Sequence, residues 1–127
     1  MKTEDWNLLK RDLCARLPYG VIVQVPELFF YTTNVKLDAI FEVDDDFRFT
    51  KSFGYLIENV KPYLRPMSSM TEEEYEEYTK LRQNISDKLK DWKCADLIDW
   101  LNKHHFDYRG LIEKNLALDC TGLHIYD

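Results

Sequence analysis

The chain has 127 residues, a net charge of −6, and 45% hydrophobic and 14% aromatic residues, the composition of a folded globule rather than a disordered chain. That length suffices for a core without metal or disulfide staples, and one domain spanning 1–127 is the simplest division. No window approaches the ~20 apolar residues of a membrane span. The opening MKTEDWNLLK carries acids where a signal peptide would need a basic start and an apolar run, so none is expected. The charge opposes nonspecific binding to nucleic acid; a cytoplasmic protein is expected.

Thr3 is placed to cap a first helix whose opening turn carries Glu4 and Asp5, acids suited to the helix dipole. Trp6, Leu9, Leu13 and Leu17 recur at helical spacing, and Pro18 ends the stripe. The period then changes to two. Val21, Val23 and Val25 alternate with Ile22 and Gln24 up to Pro26. Phe29 to Val35 and Ala39 to Val43 read as further strands, Asp44–Asp46 as a solvated acidic turn, and Phe47 to Phe49 and Tyr55 to Ile57 as short strands. Turn-length connections leave no room for helical crossovers in this stretch, so an antiparallel meander or small open barrel is expected.

KPYLRPMSSMTEEEYEEY, Lys61 to Tyr78, opens the second half. Thr71 with Glu74 three residues on is a capping box, and Met70 with Tyr75 is the matching hydrophobic staple. Tyr75, Tyr78, Leu81, Ile85, Leu89 and Trp92 continue a helical face, so a helix is expected from Thr71 to about Ser86 or beyond. The remainder, KPYLRPM, is an arm held extended by two prolines. A last helix is expected from Ala95 to about His104, with Leu97, Ile98 and Leu101 inward and Trp100 near their edge. GLHIY follows as a strand or a tail. The fold class is thus α+β: an N-terminal helix, a small antiparallel sheet or open barrel, then two C-terminal helices.

His104, His105 and Asp107 form the cluster most like a catalytic site. Neighbouring helical histidines point about 100° apart, which is poor geometry for one metal. Asp44–Asp46 lacks the spacing and glycine of a calcium loop. Cys14, Cys94 and Cys120 are odd in number and show no CxxC spacing, so all three are expected as free buried thiols, Cys14 and Cys94 as small hydrophobes in helical or helix-edge settings. No phosphate-binding or nucleophile-elbow motif occurs among the four glycines. Neither metal nor cofactor is therefore expected.

The arm and the HHFDYRG loop are the irregular segments that periodicity and capping leave over. Tyr63, Arg65, Met67, Phe106, Tyr108 and Arg109 make them a candidate interaction patch, since Tyr and Arg are enriched at binding hot spots. Asp107 is a candidate anchor for Arg65. The two segments are expected side by side. If they recognise a partner, their Tyr and Arg side chains should stay exposed; if they only connect, those side chains should be buried and mutually satisfied.

KPYLRPMSSMTEEE and DLIDWLNKHHFDYRGLI also resemble a family of small uncharacterised proteins of gut bacteria and their phages. The resemblance covers about a third of the chain and implies a cytosolic protein associated with a mobile element. It carries over no activity and no catalytic residue. The family's ending GLALEAPEG is replaced here by NLALDCTG.

The expected function is a non-enzymatic interaction module for another protein. Residues 67–127 hold eight basic and thirteen acidic side chains, against nine and ten in residues 1–66, so a basic partner would meet the second half. One alternative is a hydrolase-type enzyme centred on His104, His105 and Asp107. Another is a nucleic-acid-associated factor using Phe29, Tyr31, Phe41, Phe47 and Phe49, which core packing explains better.

Overall fold

The computed structural model describes residues 2–26, 32–37, 40–43, 46–49, 55–56, 59–85 and 91–127, with only the backbone for 40–43, 46–49, 55–56, 84–85 and 91–94. Helix α1 runs Thr3–Arg16. Thr3 lies within the helix rather than capping it: Lys2 is the cap residue, in extended backbone and without a side-chain cap bond. Pro18 ends the helix through a 3-10 turn, Leu17–Tyr19, and Gly20 follows with φ 72°. A Cβ on Gly20 would stand 3.0 Å from Lys36 Cε in a backbone region L residues rarely adopt, so glycine is favoured at this corner.

Strands β1 (Ile22–Pro26), β2 (Thr32–Lys36), β6 (Lys61–Leu64) and β7 (Leu118–Asp119) form one open sheet in the order β2-β1-β6-β7. Strands β3 (Ile40–Val43), β4 (Asp46–Phe49) and β5 (Tyr55–Leu56) form a second, three-stranded antiparallel sheet. The first sheet is mixed, because β6 and β7 pair parallel, Tyr63 with Leu118 and Leu64 with Asp119. Both later helices lie between those two strands in sequence, which supplies the long connection that parallel pairing needs.

The two-residue alternation of β1 is present as expected. Val21, Val23 and Val25 are buried, and Ile22 and Gln24 are half-buried on the other side. Leu9 and Leu13 of α1 share a single core cluster with these valines and with Leu37, Val60, Leu64, Leu111 and Leu116. Full burial of a Leu or Val is worth about 1.5–3 kcal/mol. Cys14 is exposed, not buried: it lies on α1 away from Leu9 and Leu13. Of Cys94 only the backbone is described.

Helix α2 spans Glu72–Ile85 and α3 spans Asp91–Lys103. Trp92 therefore begins α3 instead of ending α2, and Leu89 lies outside the described residues. Tyr78 stacks on Trp100 at 6.2 Å, and the Trp100 indole N–H donates to Glu77 Oε2, tying α2 to α3. Leu101 is buried as expected, whereas Ile98 is exposed and Asn102 takes a buried position.

After α3 the chain turns through His105, which has φ 62°. His105 N–H donates to Asn102 and Phe106 N–H to Leu101. This is a Schellman ending with histidine where glycine is usual. The same pair of bonds recurs at Asn115 and Leu116, which donate to Ile112 and Leu111.

Candidate functional site

The arm and the loop lie side by side. Arg65 and Phe106 form a parallel bridge, with Arg65 N–H donating to His105 O and Asp107 N–H donating to Arg65 O, both at 2.8 Å. Extended backbone set by Pro62 and Pro66 makes this pairing possible.

Two of the six candidate patch residues, Tyr63 and Phe106, are buried, and Arg65, Met67, Tyr108 and Arg109 are half-buried. Tyr63 is buried, its hydroxyl donating to Asn34 and accepting from Gln24 across three strands. Phe106 is fully buried. Arg65 forks onto Glu74 with bonds of 2.8 and 2.7 Å, donates to Ser69 O, and lies 4.3 Å over the Phe106 ring. Arg109 donates to Asp12, and Tyr108 donates to Asn102 while its ring faces both Arg16 and Arg109. The polar groups of these side chains are bonded within the protein, while Arg65, Tyr108 and Arg109 keep part of their surface exposed. Met67 lies apart from this network.

Asp107 does not anchor Arg65. Its two carboxylate oxygens accept the amides of Leu111 and Ile112 at 2.9 Å, fastening the turn that follows. The carboxylate that does hold Arg65 is Glu74, nine residues on. Glu74 also accepts from Thr71 N–H and donates its own N–H to the Thr71 hydroxyl, completing the capping box. One carboxylate thus serves both cap and ion pair. The Arg65 bond holds its pKa down to about 2.

A polar cleft of about 580 Å³ lies beside this network, lined by Arg65, His104, His105, Cys120 and Tyr126 among others. Its titratable groups are poorly poised for nucleophilic chemistry. Burial pushes the Cys120 thiol up, disfavouring thiolate. Burial and then the nearby Arg16, His104 and Arg65 push His105 down to about 4, so it is neutral at pH 7. His105 Nδ1 is buried without a partner among the described residues, and its ring stacks on Tyr126 at 3.5 Å. His104 Nδ1 lies 3.5 Å from Glu74, and Asp107 is engaged elsewhere, so the three hydrolase candidates each serve a different partner. No group of three metal ligands occurs among the described residues. Of the sheet aromatics, Phe29 and Tyr31 lie outside the described residues, and only the backbone of Phe41, Phe47 and Phe49 is described.

The surface that periodicity misassigned is at the start of α2. Tyr75, expected to staple against Met70, is 62% exposed. With Met67 and Met70 it lines a depression of about 510 Å³, and a second of about 330 Å³ continues from Tyr75 toward Lys80. The outward position of Tyr75 had a signal: it is flanked by Glu72, Glu73, Glu76 and Glu77 within one turn on either side. Asp12 and Arg16 were missed for a different reason. They follow Leu9 and Leu13 by three residues, hence share the apolar face, and are fully buried there.

Among the described residues no helix is long and apolar enough to cross a membrane. Comparison of the chain with protein-family models, with curated proteins and with solved structures finds no match.

Proposed function

We propose that this protein is a non-enzymatic binding module for another protein, and that the start of α2 carries the contact. The observation that supports this reading is Tyr75, a large side chain at 62% exposure beside Met67 and Met70. Tyr supplies contact area at low entropic cost, and Met adapts its shape to a partner. A cytoplasmic, mobile-element setting belongs to the same proposal, on the resemblance carried by the arm and loop motifs.

The hydrolase reading is weaker, because its histidines and Asp107 are committed to separate partners and the thiol in the cleft favours its protonated form. A nucleic-acid role is opposed by the acids that fill the α2 N-terminus, where phosphate would otherwise be received.

The test is affinity capture from the native host, followed by reconstitution with the purified partner and calorimetry. Tyr75→Ser should weaken binding by about tenfold or more, as expected for a hot-spot aromatic, with an unchanged melting temperature. Equal binding by the variant, or a turnover activity abolished by His104→Ala, would overturn the proposal.

A further inference from the structure

Resting on the protein-binding reading above, we infer that the α2 groove takes a cationic segment of its partner: one bulky apolar side chain seated against Met67, Met70 and Tyr75, flanked by Lys or Arg facing Glu72, Glu73 and Glu76. Met67, Met70 and Tyr75 line the depression together with the polar Ser68, Thr71, Glu72 and Glu76. Met67 and Met70 are half-buried, and Tyr75 beside them is 62% exposed. A lining that holds a tyrosine ring and two thioethers suits an aromatic or branched aliphatic anchor.

The sign of the partner's charge follows from a count of what the chain itself has neutralised. Glu74 is paired with Arg65, and Glu77 accepts from Trp100. Glu72, Glu73 and Glu76 are exposed and have no ion pair among the described residues. The helix N-terminus contributes roughly half a positive charge, which three carboxylates outweigh. Thr71 N–H and Glu74 N–H are already taken by the capping box, so the amides that would receive an anion are partly occupied. Cations brought to this rim meet carboxylates and the face of Tyr75 together.

The groove is also polar in direction. Lys80 stands at its far end, beside the second depression. Basic residues of the partner therefore lie at the Met70 end, and the segment's neutral or acidic flank lies toward Lys80.

The test uses the intact chain as bait for a displayed library of random dodecapeptides. Selected peptides should carry a bulky apolar residue with Lys or Arg within a few positions. Their affinity should fall about tenfold or more in Tyr75→Ser. In the variant with Glu72→Gln, Glu73→Gln and Glu76→Gln it should fall several-fold at low salt and little at high salt, since exposed charges are screened. Circular dichroism and melting confirm that both variants are folded. Acidic or uncharged peptides that still depend on Tyr75 would overturn this inference and leave the binding-module reading standing. Self-association of the chain through Tyr75 would likewise replace the cationic partner by a second copy. Peptides indifferent to Tyr75→Ser, or no selection at all, would remove both.

Discussion

The carboxylate of Asp12 and the guanidinium of Arg109 are 97 positions apart in sequence and 2.8 Å apart in space. Arg16 holds the other oxygen of Asp12 at 2.7 Å and donates to Phe106 O at 2.6 Å, while its Nη1 is buried without a partner among the described residues. One fully buried carboxylate thus joins α1 to the loop after α3, under two guanidinium groups. Removing it leaves buried positive charge unopposed. Asp12→Ala should cost about 3–5 kcal/mol, measured by urea denaturation. Arg109→Ala should cost less, about 1–2 kcal/mol, because Arg16 remains on Asp12 and Arg109 is partly solvated. Equal costs would mean that Arg109, not Arg16, balances the buried carboxylate.

The Thr71 cap makes a second prediction. Its hydroxyl accepts Glu74 N–H at 3.2 Å, and Glu74 returns a bond to Thr71 N–H at 3.0 Å. Thr71→Ala should cost about 0.5–2 kcal/mol. Glu74→Gln should cost more than Thr71→Ala, because it also releases Arg65 from a forked pair beside Phe106. An unchanged denaturation midpoint for Glu74→Gln would show that the Arg65 pair contributes nothing net.

What was legible in the sequence follows from how local each cause is. The capping box is written within four residues and is present. The valine alternation of β1 needs only a pleat and one buried face, and it too is present. Arg65 and Glu74 are each visible in the sequence, but their pairing depends on how the arm docks, and the anchor expected from the sequence is Asp107 instead. The parallel β6–β7 pair is two residues long on the β7 side, too short for any period. Tyr and Arg in irregular segments suggested an exposed patch, yet these residue types also close buried polar networks. Burial of Asp12 and Arg16 was readable from their spacing after Leu9 and Leu13, but a charge on an apolar face gains meaning only with partners that lie far along the chain.

Acid should act in two separable steps. His105 has its pKa lowered to about 4 by burial and neighbouring cations, so the unfolded chain binds more protons than the folded one between about pH 6.5 and 4. Stability from this group is complete above pH 6.5 and is lost as pH falls toward 4. Glu74, lowered to about 2 chiefly by Arg65, contributes stability that is complete above about pH 4.5 and lost as pH falls toward 2. His105→Asn, whose side chain tolerates positive φ, should abolish the first step and leave the second. A His105→Asn variant that retains the loss between pH 6.5 and 4 would assign it to another group.

The thiols should differ sharply in reactivity. Cys14 is exposed, and Cys120 is buried with its pKa pushed up by that burial. A thiol reagent at neutral pH should modify Cys14 at once in the native protein, whereas Cys120 should wait for opening or unfolding. Melting should also be insensitive to reductant and chelator, as expected of a fold that relies on neither disulfide nor metal. A fall in midpoint with either reagent would overturn that expectation.

Tyr126 closes a gap in the first sheet. Strands β1 and β6 pair at Val23–Pro62 and Gln24–Lys61, and the next pair outward is Ile22 with Tyr63. There the Tyr126 hydroxyl intervenes, accepting Ile22 N–H at 2.9 Å and donating to Tyr63 O at 2.6 Å. The phenol takes the place of a ladder bond, and burial pushes its pKa well above the ordinary tyrosine value. Its ring lies against His105, nearly parallel at 7°. Tyr126→Phe keeps that stack and removes the bridge, leaving a partly buried donor and acceptor unpaired, at about 1–3 kcal/mol. Tyr126→Ala should cost more, since the stacked pair is worth about 0.5–1.5 kcal/mol beyond its buried area. Native-state hydrogen exchange locates the effect: the Ile22 amide should lose protection in Tyr126→Phe while that of Gln24, within the paired register, is retained. Unchanged protection at Ile22 would mean that β1 and β6 close directly on one another once the hydroxyl is gone.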